Sequence, residues 1–142
     1  MKIIPTIIRF SVFFFIFFNT FVFASSQDNF EQDKKYYVVD EQGRVDKKTY
    51  NGWRRFGACS GCHGAKATGG TSGPNLLLAI RNKKIDFITF KEIVSKGRPN
   101  KGMPAWNIDP NVNKYYPHIY GYLRARSDGI LKGGRPSERA RR

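Results

Sequence analysis

An all-α domain is the fold class this sequence predicts, and three stretches predict it. Gly52-Trp53-Arg54-Arg55-Phe56 follows candidate caps at Thr49 and Asn51. Gly52 and Phe56 stand one turn apart, on one face of a helix leading into Cys59. Thr89-Phe90-Lys91-Glu92 has capping-box spacing, and Phe90, Ile93 and Val94 form a helical apolar stripe that Gly97 closes. From Tyr116 to Arg126, Ile119 and Leu123 with Tyr120 or Tyr122 give an inward side. Pro117 suits the first turn there, and Ser127-Asp128-Gly129 ends the helix. The 142 residues fit one domain.

Ahead of that domain the first residues read differently. Lys2 and Arg9 precede a run of phenylalanine, isoleucine and valine from Phe10 to Phe18, and Val22-Phe23-Ala24 offers small or short residues for cleavage. A basic start, a short apolar run and a small-residue exit describe a secretory signal over residues 1–24. The run is shorter than the roughly 20 residues a membrane span needs, so no stable membrane insertion is expected after cleavage.

Residues 25–49 read as an N-terminal extension. Its first part is polar and charged. Tyr36-Tyr37-Val38-Val39 is β-prone, Glu41-Gln42-Gly43 is a turn, and Arg44-Val45 returns. A small hairpin or extended arm is expected, with the tyrosine pair packed on the domain or touching a partner. Trp53 and Phe56, in the first helix, are expected in the core.

The chemistry lies in Cys59-Ser60-Gly61-Cys62-His63. This is Cys-x-x-Cys-His, the signature for covalent attachment of a c-type haem. Two thiols three positions apart can each add to one vinyl group of the porphyrin. His63 can then offer an imidazole nitrogen to the iron. A structural zinc site would need four protein ligands, and the one other histidine is His118. A thiol redox pair would need a βαβ pattern, which is missing. The two cysteines of the chain both lie in this motif. In an oxidising compartment free thiols would pair, whereas haem attachment uses both.

Gly64 to Gly73 is a glycine-rich loop ending in Gly73-Pro74-Asn75-Leu76. The Pro74 carbonyl can accept the second imidazole N–H of His63 and make it a stronger ligand. Leu76, Leu77, Leu78 and Ile80 are expected to wall the haem or core. Arg98-Pro99-Asn100-Lys101-Gly102 delivers Met103, 40 residues after His63 and the candidate second axial ligand. A thioether favours ferrous iron and raises the reduction potential. Arg98 is either a propionate donor or a solvated arginine. Trp106 either packs at the haem edge, donates to a propionate or is a plain buried tryptophan. Asp109-Pro110-Asn111 begins a further turn. Residues 131–142, rich in glycine, proline and arginine, read as a basic flexible tail.

Iron closed by imidazole and thioether has no open position for a substrate, so electron transfer is expected rather than catalysis. No general base, nucleophile or phosphate loop is evident. The chain carries 25 Lys plus Arg against 11 Asp plus Glu, a formal +14. Removing residues 1–24 takes away Lys2 and Arg9 and no acid, leaving 23 of the 25 basic residues and a formal +12. Such a surface steers toward negative partners, more weakly as salt rises. An exported haem domain has little occasion to meet nucleic acid, so an acidic protein face or an anionic membrane surface is the expected counterpart.

Together these residues resemble a class I cytochrome c from residue 50 to about 126: N-terminal helix, haem motif, proline loop, middle helices, methionine loop and C-terminal helix. The resemblance implies that residues 50–130 form a small helical haem-binding domain of that fold, whose first and last helices cross. By that likeness Cys59 and Cys62 bind one haem c covalently, His63 and Met103 ligate its iron, and Pro74 supports the histidine. A narrower likeness lies in Lys35-Tyr36-Tyr37, Gly43-Arg44-Val45-Asp46, residues 49–56 and Tyr120-Gly121-Tyr122-Leu123-Arg124-Ala125-Arg126-Ser127-Asp128-Gly129. These are similar to the methanol-metabolism-related c-type cytochromes. That likeness implies a periplasmic electron carrier with a quinoprotein (PQQ-dependent) methanol or alcohol dehydrogenase as donor and a downstream cytochrome or terminal oxidase as acceptor. One departure stands out: Phe56 lies three residues before Cys59, where the family has its aromatic four before, which predicts a shortened helix entry. A general shuttle to a terminal oxidase is the alternative in the same class. A haem enzyme such as a peroxidase would require Met103 off the iron.

Overall fold

The computed structural model describes residues 36–138. The segment expected to be a secretory signal, the polar lead-in and the last four residues lie outside them. Among the described residues, five α-helices and one 3-10 turn are joined by loops, and β-structure is limited to isolated bridges.

Helix α1 spans Lys47–His63. Its cap is Asp46, whose carboxylate accepts from the amides of Lys48 at 3.3 Å and Thr49 at 3.1 Å. The caps expected at Thr49 or Asn51 are displaced because an aspartate satisfies two orphan amides at once. Thr49 is instead buried, and its hydroxyl accepts from the Val38 amide. The helix entry is therefore not shortened: α1 runs unbroken through the cysteine motif and stops at Gly64, at φ 76°. Within it, Phe56 lies one turn before Cys59 and packs on Tyr122 with ring centres 5.8 Å apart.

Helix α2 spans Leu76–Arg81, capped by Asn75. Helix α3 spans Phe87–Lys96, and here too the cap differs from the expected one. Asp86 accepts from the Thr89 amide at 2.7 Å, so the helix begins two residues before Thr89. Glu92 pairs with Lys96 along the helix at 2.8 Å rather than reaching back to a cap. Gly97 ends α3, as expected. The turn expected at Asp109 is a short helix, α4, Pro110–Asn113.

Helix α5, Tyr116–Ser127, is the centre of the packing. It crosses α1 at Gly52, where an added Cβ would meet the His118 carbonyl and the Tyr122 side chain. On another side an added Cβ at Gly121 would lie 2.0 Å from the Tyr36 carbonyl oxygen, so the arm crosses there. Both Tyr120 and Tyr122 are therefore buried, not one of them. Tyr120 packs edge-on or tilted against Tyr36, Phe87 and Phe90.

The arm packs on the domain. Val39 and Val45 bridge across the turn, and Tyr37 donates to Asp128 at 2.9 Å. Residues 131–138, expected to open a flexible tail, return to this arm. Leu131 is buried, and the Val45 amide donates to the Ser137 carbonyl at 2.8 Å. Burial of Leu131 and pairing with an otherwise orphaned amide outweigh the disorder-prone composition. Leu78 also departs from expectation: it is half exposed, whereas Leu76, Leu77 and Ile80 are buried.

Candidate haem site

Because α1 is unbroken, Cys59, Cys62 and His63 stand at i, i+3 and i+4, and all three face one side of the helix. That is the physical content of the motif spacing: two thiols and one imidazole presented together from a rigid element. They face a cavity of about 220 Å³. Phe90 and Val94 of α3 and Ile119 and Leu123 of α5 give it apolar walls. Pro74, Arg98, Met103 and Trp106 line the same cavity, so the structure gathers all seven residues singled out in the sequence.

The imidazole is held from behind. Its Nδ1 lies 2.9 Å from the Pro74 carbonyl oxygen. A carbonyl can only accept, so Nδ1 carries the proton and Nε2 keeps the lone pair. The fit is tight enough to exclude any side chain at Gly73, where a Cβ would lie 2.7 Å from Nδ1 and 2.9 Å from the Cys62 carbonyl oxygen. The glycine-rich loop thus wraps the histidine. Its adjacency to Pro74 was the signal in the sequence.

Met103 sits on a closed loop. The amide of Arg98 donates to the Met103 carbonyl at 2.8 Å, and the Met103 amide donates back at 3.1 Å. The Trp106 amide donates to the Val94 carbonyl at 2.9 Å, which fastens the loop to α3. Gly97, at φ 67°, allows the Pro104–Ala105 peptide to lie against it; a Cβ would come within 2.5 Å. Lys101 also lines the cavity, a residue the sequence did not single out.

No disulfide joins Cys59 and Cys62, so both sulfurs are available for attachment. Burial, with the neighbouring Cys62 adding to it, pushes the Cys59 thiol up to about 11. Among the described residues no group of three or more His, Cys, Asp or Glu is arranged to hold a metal ion. His118 stands away from the cavity, edge-on to the Tyr115 ring. An apolar slot with two thiols and an imidazole on one wall and a thioether on a separate loop suits a flat, iron-bearing macrocycle attached through sulfur.

Comparison with known proteins agrees. No protein-family model matches the chain. It is 38% identical over 92 residues to cytochrome c-555 of Methylococcus capsulatus, covering 63% of this chain and 72% of that protein. This chain belongs to the cytochromes c. It is also 36% identical over 115 residues to cytochrome c-553I of Paracoccus denitrificans, covering 76% of this chain and spanning half the length of that relative. Among solved structures it is similar to the c-type cytochrome XoxG of Methylobacterium extorquens AM1, with 30% identity and a TM-score of 0.62. That match covers 75% of this chain and 74% of the other. The fold is the all-α class I cytochrome c fold, and this cytochrome c binds covalently attached haem c, for which Cys59 and Cys62 have the fitting spacing. Its relatives are cytochromes c, which supports a monohaem electron carrier, and the sequence carries one Cys-x-x-Cys-His motif.

Proposed function

We propose that this cytochrome c works in the periplasm, taking single electrons from a quinoprotein methanol or alcohol dehydrogenase and passing them to a downstream cytochrome or terminal oxidase. The observation that carries the reading is that His63 and Met103, from separate parts of the chain, line one cavity together. If both residues held a haem iron, no position would be left for a substrate, which favours a carrier over a peroxidase-type enzyme. The likeness to XoxG supports the choice of donor, as do the arm and α5 motifs shared with methanol-metabolism-related cytochromes. No helix among the described residues is long and apolar enough to cross a membrane.

When bound, the haem supplies a one-electron couple at low reorganisation. The chain's residues do the rest. Cys59 and Cys62 would tether it, the Pro74 carbonyl fixes the tautomer of His63, and the Arg98–Met103 loop presents the thioether. Phe90, Val94, Ile119 and Leu123 keep water from the interior. Cys62 and Ala58, exposed on α1, mark the side on which the cavity opens. Residues 60–75 and 97–108, which flank it, carry Lys66, Arg98 and Lys101 and no carboxylate. All three cations are exposed, so this mouth attracts an acidic partner face.

The test is a stopped-flow mixture of the oxidised cytochrome with reduced quinoprotein dehydrogenase from the same organism. Haem reduction that slows as salt rises is the expected result. Absence of reduction by that dehydrogenase, with reduction by other donors intact, would sink the donor assignment and leave the general shuttle.

A further inference from the structure

Arg126 is a buried cation that the carrier function, as described, does not use. It lies on the last turn of α5 and is 8% exposed. Its Nη1 donates to the Tyr122 hydroxyl at 3.1 Å and its Nη2 to the Lys66 carbonyl at 3.2 Å. Both acceptors are neutral. Among the described residues no carboxylate pairs with it. Asp128, two positions on, is taken by Arg124 and Tyr37. A guanidinium keeps its charge at every accessible pH, so burial cannot neutralise it. An unpaired buried charge is costly, and one held without a counter-charge calls for a reason.

Its position supplies one. Lys66 follows His63 by three residues, so their Cα atoms are at most about 11 Å apart, and closer in the turn made by the Ala67 amide and the Gly64 carbonyl. The loop it grips is the one that supports the histidine. The Gly69 amide donates to the His63 carbonyl, and the Ala67 carbonyl accepts from the amides of Leu76 and Leu77, just beyond Pro74. Arg126 therefore holds one fixed positive charge, largely out of water, against the loop that carries the support of the imidazole.

We infer that Arg126 sets the reduction potential of the haem: its uncompensated charge disfavours the oxidised form, which carries one more positive charge than the reduced form, and so raises the potential. The inference rests on the reading of the site as a haem iron behind His63. Arg126 touches no ligand; it acts through space, and through the loop it holds. The charge is screened little, because it is buried.

The experiment compares reduction potentials of holoprotein variants by redox titration, with the optical spectrum recorded alongside. Arg126→Gln should lower the potential and Arg126→Lys should retain most of it. A second pair leaves Arg126 in place. An added Cβ at Gly133 would lie 3.3 Å from Nη2 of Arg126, at the mobile end of that side chain. Gly133→Asp sets a carboxylate beside the guanidinium, and Gly133→Asn sets a neutral group of the same shape there. The aspartate variant should have the lower potential of the two. Equal potentials for Gly133→Asp and Gly133→Asn, or an Arg126→Lys potential as low as that of Arg126→Gln, would overturn the inference. Wild-type and variant spectra that retain the sulfur-to-iron absorption keep the ligand reading intact in either case. Its absence from the wild-type protein would count against that reading instead.

Discussion

A Cβ on Gly52 would lie 1.9 Å from the carbonyl oxygen of His118. The first and last helices touch there through bare backbone, and no side chain can be interposed without parting them. Gly52→Ala should therefore destabilise the holoprotein by about 3 kcal/mol or more. Gly57, one turn and a half along the same helix, meets nothing within 4 Å. Gly57→Ala should add about 0.5–1 kcal/mol by removing a flexible residue from a helix interior. Thermal melts of both variants give the comparison, and equal melting temperatures would refute the crossing as a stability determinant.

Met103 reaches the cavity on a loop closed by backbone bonds that do not involve its side chain. Met103→Ala should leave that loop in place and vacate one axial position. The sulfur-to-iron absorption should vanish, the potential should fall, and added imidazole should bind saturably. An unchanged spectrum would show that another residue occupies the position.

Cys59→Ala with Cys62→Ala removes both tethers. The walls of Phe90, Val94, Ile119 and Leu123 would then face a void, and empty volume in a core costs about 24 cal/mol per Å³. The double variant should purify colourless, with loss of helical circular dichroism relative to the holoprotein. Retention of a cooperative melt without haem would show that the helices hold the slot open unaided.

The acid side of stability is open to test at His118. Packing strips water from its imidazole and lowers its pKa, Lys48 and Arg55 add repulsion, and Asp46 opposes them. Folded His118 thus stays neutral to lower pH than in the unfolded chain, where the value is near 6.5. The unfolded chain takes up the proton first, so stability is whole above that value and declines as pH drops below it. His118→Gln should flatten the decline between about pH 7 and 5, as read from denaturant midpoints. Asp86, held below its usual range chiefly by the Thr89 amide, and Glu92, held down by Lys96, change charge at lower pH and leave that window clear.

The site was legible in the sequence because its residues announce their chemistry. Cys59, Cys62 and His63 need only helical geometry to converge, and Pro74 needs only a carbonyl. Met103 was found by its place after Gly102, and it does line the cavity. Boundaries were harder. Asp46 and Asp86 outcompeted the threonines as caps, since a carboxylate accepts more strongly and each stood just upstream of the apolar pattern. The burial of both Tyr120 and Tyr122 could not be read from periodicity, because α5 is covered by α1 on one side and by the arm at Gly121 on another. Arg126 entered the sequence reading only as the end of the last helix, and its burial against Tyr122 and the Lys66 carbonyl depends on a loop 60 residues away. Composition likewise pointed residues 131–138 away from the domain, and the destination of a single amide, that of Val45, decided otherwise.

That amide has a reach beyond packing. Val45 pairs with Val39 on one side and Glu138 on the other, so the earliest and latest described segments are laced at one point. A nick at Lys132 or Arg135 would release the late segment and, with it, the lid over Val45 next to Asp46, where α1 begins. Wear in the segment that closes at Glu138 is thereby felt at Val45, one residue before the cap of the haem-bearing helix.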